Sequence, residues 1–341
     1  MPDKKIAPSI LSTACLRRMI GHATAAPSLD SISPVTPKTP PREPGTASTN
    51  GTVRIGISGW RYKGWRGVFY PPRLPQKNEL AFAARNFSTV EINGSFYSLQ
   101  QPSYYEHWSA AAPSDFVFAV KGSRFITHMR KLRNIRGALA NFYASGILRL
   151  EAKLGPFLWQ FAPQFTYNPD LLNEFFTLLP RDSQAAADLA CEHDPWMKGR
   201  VCLETFIRRP LRHAVEIRHS SFVTPDFIRL LRRHRIALVC ADTVDWPRLM
   251  DVTADFLYVR LHGSEVLYAS GYEDVDLDLW AERIASWARG GQPQNGTYAS
   301  TALPPKRAKR DVYVYFDNDA KVRAPFDAQG LIARVNRLLG H

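Results

Sequence analysis

Short apolar runs alternate along this chain with longer stretches of helical periodicity. Eight runs stand out, at residues 53–58 (VRIGIS), 89–93 (TVEIN), 116–121 (FVFAVK), 157–161 (FLWQF), 214–219 (AVEIRH), 236–242 (IALVCAD), 256–263 (FLYVRLHG) and 311–319 (DVYVYFDND). Runs this apolar suit strands buried on both faces, as in parallel sheets. Helical patterns fall between them at residues 79–86, 103–111, 131–153, 169–179, 224–234, 277–289 and 325–339. Two of these open on Pro-Asp, a sound helix start. The stretch 246–252 supports no more than one turn. Eight strands with interleaved helices predict an α/β fold of (β/α)8 barrel type, whose chemistry sits at the C-terminal strand tips.

Most of the runs end in a charged or amide residue, and alternation along a strand shows which of these point together. Glu91 and Asn93 share one face, as do Glu216 and Arg218, and Arg260 and His262. Lys121 ends its run, Gln160 sits near the end of another, and Asp242 ends a third. These polar faces are expected to look into the barrel mouth. Burying so many charges is costly unless they pair or hold a ligand. A self-satisfied ion network, Lys121 with Glu91 and Arg218 with Asp242, is the competing expectation.

Lys121, Arg218 and Arg260 form an expected anion clamp, because guanidinium forks match phosphate and carboxylate. Glu91 and Glu216 can form an acid/base pair, or simply partner the arginines. His262 and His219 are expected to assist. Trp60, Tyr62, Trp65, Phe69 and Tyr70 crowd the loop after the first run, with Arg61, Lys63 and Arg66 between them. Trp60 and Tyr62 can stack a base or sugar ring there; alternatively the loop packs as a plug over the barrel. His128, His219, His262, Glu91, Glu216 and Asp242 are suitable metal-ligand types, but none shows HxH or HxxxH spacing, and no metal ligand set is assigned. No cofactor is named by these residues.

The formal charge is +13. The first 50 residues hold +3 of it, and Lys306, Arg307, Lys309 and Arg310 another +4. The remaining +6 favours anionic ligands by its field alone, an anionic small molecule or a nucleic acid. Residues 1–52, rich in Pro, Ser, Thr and Ala, read as a disordered tail, because they bury too little apolar surface to offset ordering. Arg17 and Arg18 in an acid-poor stretch also fit a mitochondrial presequence. Residues 53–341 form the barrel domain, with inserts at about 181–212 and 290–310. The second insert reads as a mobile polar loop whose basic run fits either a solvated loop or a nuclear-import signal. Four cysteines without CxxC spacing suit a reducing compartment. No apolar run approaches the roughly 20 residues that span a bilayer, so no membrane partner is expected. The location expected is intracellular, cytoplasmic first, with nucleus or mitochondrion as alternatives; the oligomeric state is not legible.

The segments GISGWRYKGWRGVFYPP, TVEINGSFYSL, FVFAVKGSRFITH, LGPFLWQFAPQF, AVEIRHSSF, YVRLHG and DVYVYFDNDA together resemble the YecE-like family, domain of unknown function 72. The resemblance runs from about residue 53 to 339. It implies a TIM-barrel-type fold and no particular reaction. The polar positions it carries over are Glu91, Asn93, Lys121, His128, Gln160, Glu216, Arg218, His219, Asp242, Arg260, His262, Asn318 and Asp319. Gly94-Ser95 stands where the family usually has Ser-Thr. Asp317 stands where it usually has Asn, which adds a carboxylate at the last strand tip. The expected function is an enzyme that hydrolyses or isomerises an anionic sugar- or phosphate-containing substrate at the barrel mouth, a phosphodiester being one form. The alternative is a non-catalytic module that binds a nucleotide or nucleic acid.

Overall fold

A computed structural model describes residues 50–263, 270–319 and 321–340. The expected tail up to residue 49, and with it the presequence reading of Arg17 and Arg18, lies outside the described residues. Gly51 and Thr52 already hydrogen-bond to the barrel domain, through Ala288 and Asp311, slightly before the expected boundary.

The eight predicted runs all become strands: β1 (Val53–Ser58), β2 (Thr89–Ile92), β3 (Val117–Lys121), β4 (Leu154–Gln160), β5 (His213–Glu216), β6 (Ala237–Asp242), β7 (Phe256–Leu261) and β8 (Asp311–Phe316). Each pairs in parallel with its sequence neighbours, and β1 pairs with β8 to close the barrel. The helices are α1 (Glu79–Asn86), α2 (Gly94–Tyr97, a single turn), α3 (Pro102–Ala111), α4 (Arg136–Ala144), α5 (Pro169–Leu178), α6 (Ser183–Ala190), α7 (Pro225–His234), α8 (Asp274–Ala288) and α9 (Ala324–Leu339). Asn168 and Thr224 cap α5 and α7 by accepting from Leu171 N and Phe227 N, with Pro in the first turn. Such caps satisfy backbone donors that have no partner inside the helix.

The structure departs from expectation in two places. The single helix expected at 131–153 breaks at Gly146, whose φ of +105° belongs to the left-handed region, and a 3-10 segment, Ile147–Lys153, follows. A Cβ there would also lie 2.4 Å from Pro102 Cα, so glycine is required twice over. As the weak pattern at 246–252 implied, no α-helix links β6 to β7. The insert at 290–310, expected to be mobile, is instead anchored on that link. Asp251 accepts from Ala299 N and Ser300 N at 2.8 and 3.1 Å, and Met250 N donates to Thr297 O.

Strand alternation divides the core in two. Val117, Ala119, Leu158, Ala214, Ala237, Val239, Tyr258 and Tyr315 fill the barrel interior. Residues of the opposite parity, such as Val90, Ile92, Trp159 and Val259, pack against the helices. Gly56 faces the interior where β1 passes β2, and a Cβ would fall 1.8 Å from the Thr89 carbonyl oxygen. That contact is backbone and cannot rotate away. Gly56→Ala is expected to destabilise the fold by about 3 kcal/mol or more; urea unfolding within 1 kcal/mol of wild type would contradict this placement.

Candidate active site at the barrel mouth

The inward parity of β1, β2, β5, β7 and β8 brings Ser58, Glu91, Glu216, Arg260 and Asp317 to one level at the C-terminal end. Arg260, wholly buried, is the hub. Its Nη2 lies 2.9 Å from Glu91 Oε1 and 2.8 Å from Asp317 Oδ2, and its Nη1 lies 2.7 Å from Glu216 Oε2. Ser58 Oγ donates to Glu91 Oε1 at 2.6 Å, and Tyr258 Oη donates to Glu91 Oε2 at 2.6 Å. Asn93 Nδ2 donates to Ser58 Oγ at 3.0 Å. Arg218 Nε donates to Glu216 Oε1 at 2.8 Å while its guanidinium stacks 4.1 Å over Trp246. His262, wholly buried, has Nδ1 3.1 Å from Asp317 and Nε2 3.8 Å from Glu216.

Three carboxylates around one guanidinium fix the protonation of this inner ring. Burial pushes Glu216 upward, but Arg260 and Arg218 outweigh it and hold the carboxyl well below the usual range. Burial likewise opposes the ionised form of Asp317, and Arg260 and His262 again prevail, so its carboxyl is held low. Glu216 and Asp317 therefore remain anions at neutral pH, and Arg260 remains a cation.

A second ring lies at the same mouth and is not consumed in this way. Lys121 is only 8% exposed, yet its Nζ makes no hydrogen bond or ion pair among the described residues; it lies 4.5 Å over the Phe96 ring. Burial, then Arg260, draws its amine down to about 8. The Gln160 side chain is 5% exposed and likewise has no hydrogen-bond partner among the described residues. Burial, then repulsion from Asp317, raises Asp319 to about 6. Burial, then Arg218 and Lys121, lowers His128 to about 4, leaving a neutral ring at pH 7. The Tyr62 hydroxyl donates to the Ser58 carbonyl, and burial followed by Asp317 pushes its pKa upward.

Several expected site residues lie elsewhere or do other work. On β6, Ala237, Val239 and Ala241 face inward, so Asp242 shares the outer face with Leu238 and Cys240. It accepts from Arg248 Nη1 at 2.6 Å and from Trp280 Nε1 at 3.2 Å, not from Arg218. Asn318 has the outer parity of β8 and donates to Asp327 at 2.7 Å. Trp60 is buried edge-on against Trp108, 5.3 Å between centroids, and Trp65, Phe69 and Tyr70 are buried too. The aromatics of the loop after β1 therefore pack into the outer apolar core, and Trp60 offers no stacking face. His219 Nδ1 accepts from Ser221 N at 3.1 Å and caps the turn after β5. Arg260 is a counter-charge, not a free anion clamp, and Glu91 and Glu216 are its partners. Sequence reasoning missed Ser58, Tyr258 and Trp246. Ser58 and Tyr258 carried a signal, the inward parity of their strands; Trp246 lies in a loop that periodicity does not orient.

No group of three or more His, Cys, Asp or Glu positioned for a metal ion occurs among the described residues. No helix among them is long and apolar enough to cross a membrane.

A closed eight-strand parallel barrel with its polar residues gathered at the C-terminal tips defines the TIM-barrel class. Within it, the sequence profile described as "Protein of unknown function DUF72" matches residues 54–339, and the chain belongs to that family. The UPF0759 protein YunF of Bacillus subtilis (strain 168) is 33% identical over 79 residues, a match covering 23% of this chain and 27% of that relative. A solved DUF72 family structure from Thermotoga maritima MSB8 superposes with a TM-score of 0.62 at 22% identity, over 85% of this chain and 100% of that one. Another, from Enterococcus faecalis V583, gives 0.59 at 17% identity, over 85% and 96%. These similarities establish the fold.

Removing the hub should expose its importance. Arg260→Met leaves three buried carboxylates without their shared cation and is expected to cost about 3–5 kcal/mol at pH 7. In the wild type, the stabilisation from Glu216 and Asp317 is full above the ordinary carboxylate range and is lost as pH falls through their lowered folded values. The gap between variant and wild type should therefore narrow on acidification. Urea unfolding across pH 3–8 checks both; a variant within 1 kcal/mol of wild type at pH 7 contradicts the hub.

Proposed function

We propose that the barrel mouth binds a small anionic sugar- or phosphate-containing substrate and moves a proton on it, so that the protein is an acid–base enzyme. The observation that carries this reading is Lys121, a nearly buried amine left without a carboxylate while three carboxylates crowd one arginine beside it. A buried cation with no partner costs stability, and such costs gather where a ligand is to be held. Lys121, with Arg218 at the rim, would contact the anion; Gln160 would hydrogen-bond a hydroxyl or carbonyl oxygen. Asp319, raised to about 6, has the pKa of a group that takes and returns a proton near neutrality. Glu91, Glu216 and His262 would be positioning residues that hold Arg260 and Asp317 in place. In phosphodiester hydrolysis, the specific form to assay first, Asp319 would accept the proton of the attacking water, Lys121 would stabilise charge on the phosphoryl oxygens, and the P–O bond to the leaving alcohol would break, its oxygen taking a proton from solvent.

The expected activity has a bell-shaped pH profile, rising near pH 6 as Asp319 ionises and falling near pH 8 as Lys121 loses its proton. Asp319→Asn should lower kcat about 100-fold or more, and Lys121→Met should mainly raise KM. A panel of sugar phosphates and phosphodiesters, followed for turnover and for ligand-induced shifts in Tm, tests this. Tm shifts without turnover would favour the non-catalytic binding module. If Asp319→Asn and Lys121→Met leave every shift and turnover intact, the assignment fails.

Lys121 also makes a prediction that needs no substrate. Its folded pKa is below its ordinary value, so its charge costs stability fully below about pH 8 and not at all above about 10.5. Lys121→Met is expected to stabilise the protein by about 1–3 kcal/mol at pH 7. That gain should fade as pH rises through this window. Destabilisation at pH 7 would mean that Lys121 has a structural partner.

A further inference from the structure

At the opposite end of the barrel, the strand N-termini surround a cavity of about 1320 Å3. Its floor is the bottom of the barrel interior, where Val117, Leu154 and Tyr313 lie. Eight arginines line it against two aspartates, a net charge of +6. Both aspartates are already engaged: Arg212 lies 2.7 Å from Asp311 and 3.5 Å from Asp255. None of the other seven arginines has a carboxylate within ion-pair distance among the described residues.

The arginines arrive from separate parts of the chain. Arg54 opens β1 and donates to the carbonyl of Asp115 at 2.9 Å. Arg181 and Arg209 come from the first insert; Arg181 donates to the Phe176 carbonyl, and Arg209 to those of Glu151 and Ala152. Arg232 and Arg233 end α7, with Arg235 just after it. Arg307 comes from the second insert, which the link between β6 and β7 holds in place. A helix C-terminus carries only about half a negative charge. It accounts for part of the cluster at the end of α7 and for none of the others. Neutral carbonyls orient Arg54, Arg181, Arg209 and Arg232 without cancelling their charge, and burial lowers the pKa of Arg181, Arg209 and Arg232. Eight cations gathered at one hollow, Arg54, Arg209, Arg212 and Arg232 half-buried and the other four exposed, repel one another unless an anion joins them.

We propose that this floor cavity is a second ligand site, separate from the mouth, for a compact molecule carrying several phosphate groups. Planar guanidinium forks bind phosphate oxygens two at a time. A single phosphate would engage two or three of them and leave the rest uncompensated. The arginines ring one hollow and do not line a track, which favours a compact polyphosphate over an extended strand. Both inserts serve the site: the first supplies Arg181, Arg209 and Arg212 to its wall, and the second supplies Arg307.

Inorganic tripolyphosphate is the probe. Calorimetric titration of the full chain at low salt is expected to show binding that weakens as salt rises. The double variant Arg233→Ala/Arg307→Ala alters two exposed side chains with no ion-pair partner among the described residues, and should bind at least tenfold more weakly. Arg307→Ala alone, on an exposed loop, should show at least a threefold loss should the double variant not fold. Arg85→Ala, an exposed change on α1 outside the cavity lining, should leave the affinity unchanged. No binding at millimolar tripolyphosphate would overturn the proposal. Loss in Lys121→Met with none in the arginine variants would place the anion at the mouth and overturn it too. Tighter binding of a single-stranded oligonucleotide through the same arginines would replace the compact ligand with nucleic acid.

Discussion

One guanidinium organises the centre of this barrel. Arg260 lies wholly out of solvent and holds Glu91, Glu216 and Asp317 within 2.9 Å. The three acids come from β2, β5 and the end of β8, strands far apart in the chain. Like charges brought that close would repel strongly in a low-dielectric interior. Their convergence is tolerable only because a cation with five donors sits among them. Closure of the barrel and burial of Arg260 are therefore one event: the register that closes the sheet also delivers the acids.

The same pairing determines what is left for chemistry. The inner carboxylates are committed to Arg260, and Glu216 and Asp317 stay ionised. The groups whose protonation lies near neutrality are the ones the hub does not satisfy: Lys121, drawn to about 8, and Asp319, raised to about 6. Both shifts come first from burial. Arg260 repels Lys121 and Asp317 repels Asp319, so the hub and its third acid tune the outer ring without occupying it.

Much of this was legible in the sequence, for a definite reason. Strands buried on both faces are apolar throughout, so a charge near the tip is conspicuous, and parity then orients it. That logic placed Glu91, Lys121, Gln160, Glu216, Arg260 and His262 on inward faces. It failed at Asp242 and Asn318, because a polar tip residue was assumed to face the mouth. Asp242 instead finds Arg248 and Trp280 on the helix side, and Asn318 finds Asp327. A polar residue can face outward wherever the outer layer supplies a partner, and parity counted from Ala237, Val239 and Ala241 would have shown it. What no pattern could reveal was which charges pair. Arg260 looked like an anion clamp because its three partners lie 169, 44 and 57 residues away in the chain. The arginines of the floor cavity were legible only as excess charge, since Arg54 in β1, Arg232 and Arg233 in α7 and the arginines of the two inserts lie far apart in the chain and no local pattern joins them.

The division between a spent inner ring and an available outer one is most directly tested by titrating the Lys121 amine itself, by NMR of protein labelled at lysine side chains with Lys121→Met as the assignment control. A midpoint near pH 8 is expected. A midpoint at or above the ordinary lysine value would mean that one of the three carboxylates serves Lys121 after all, and the separation of the two rings would not stand.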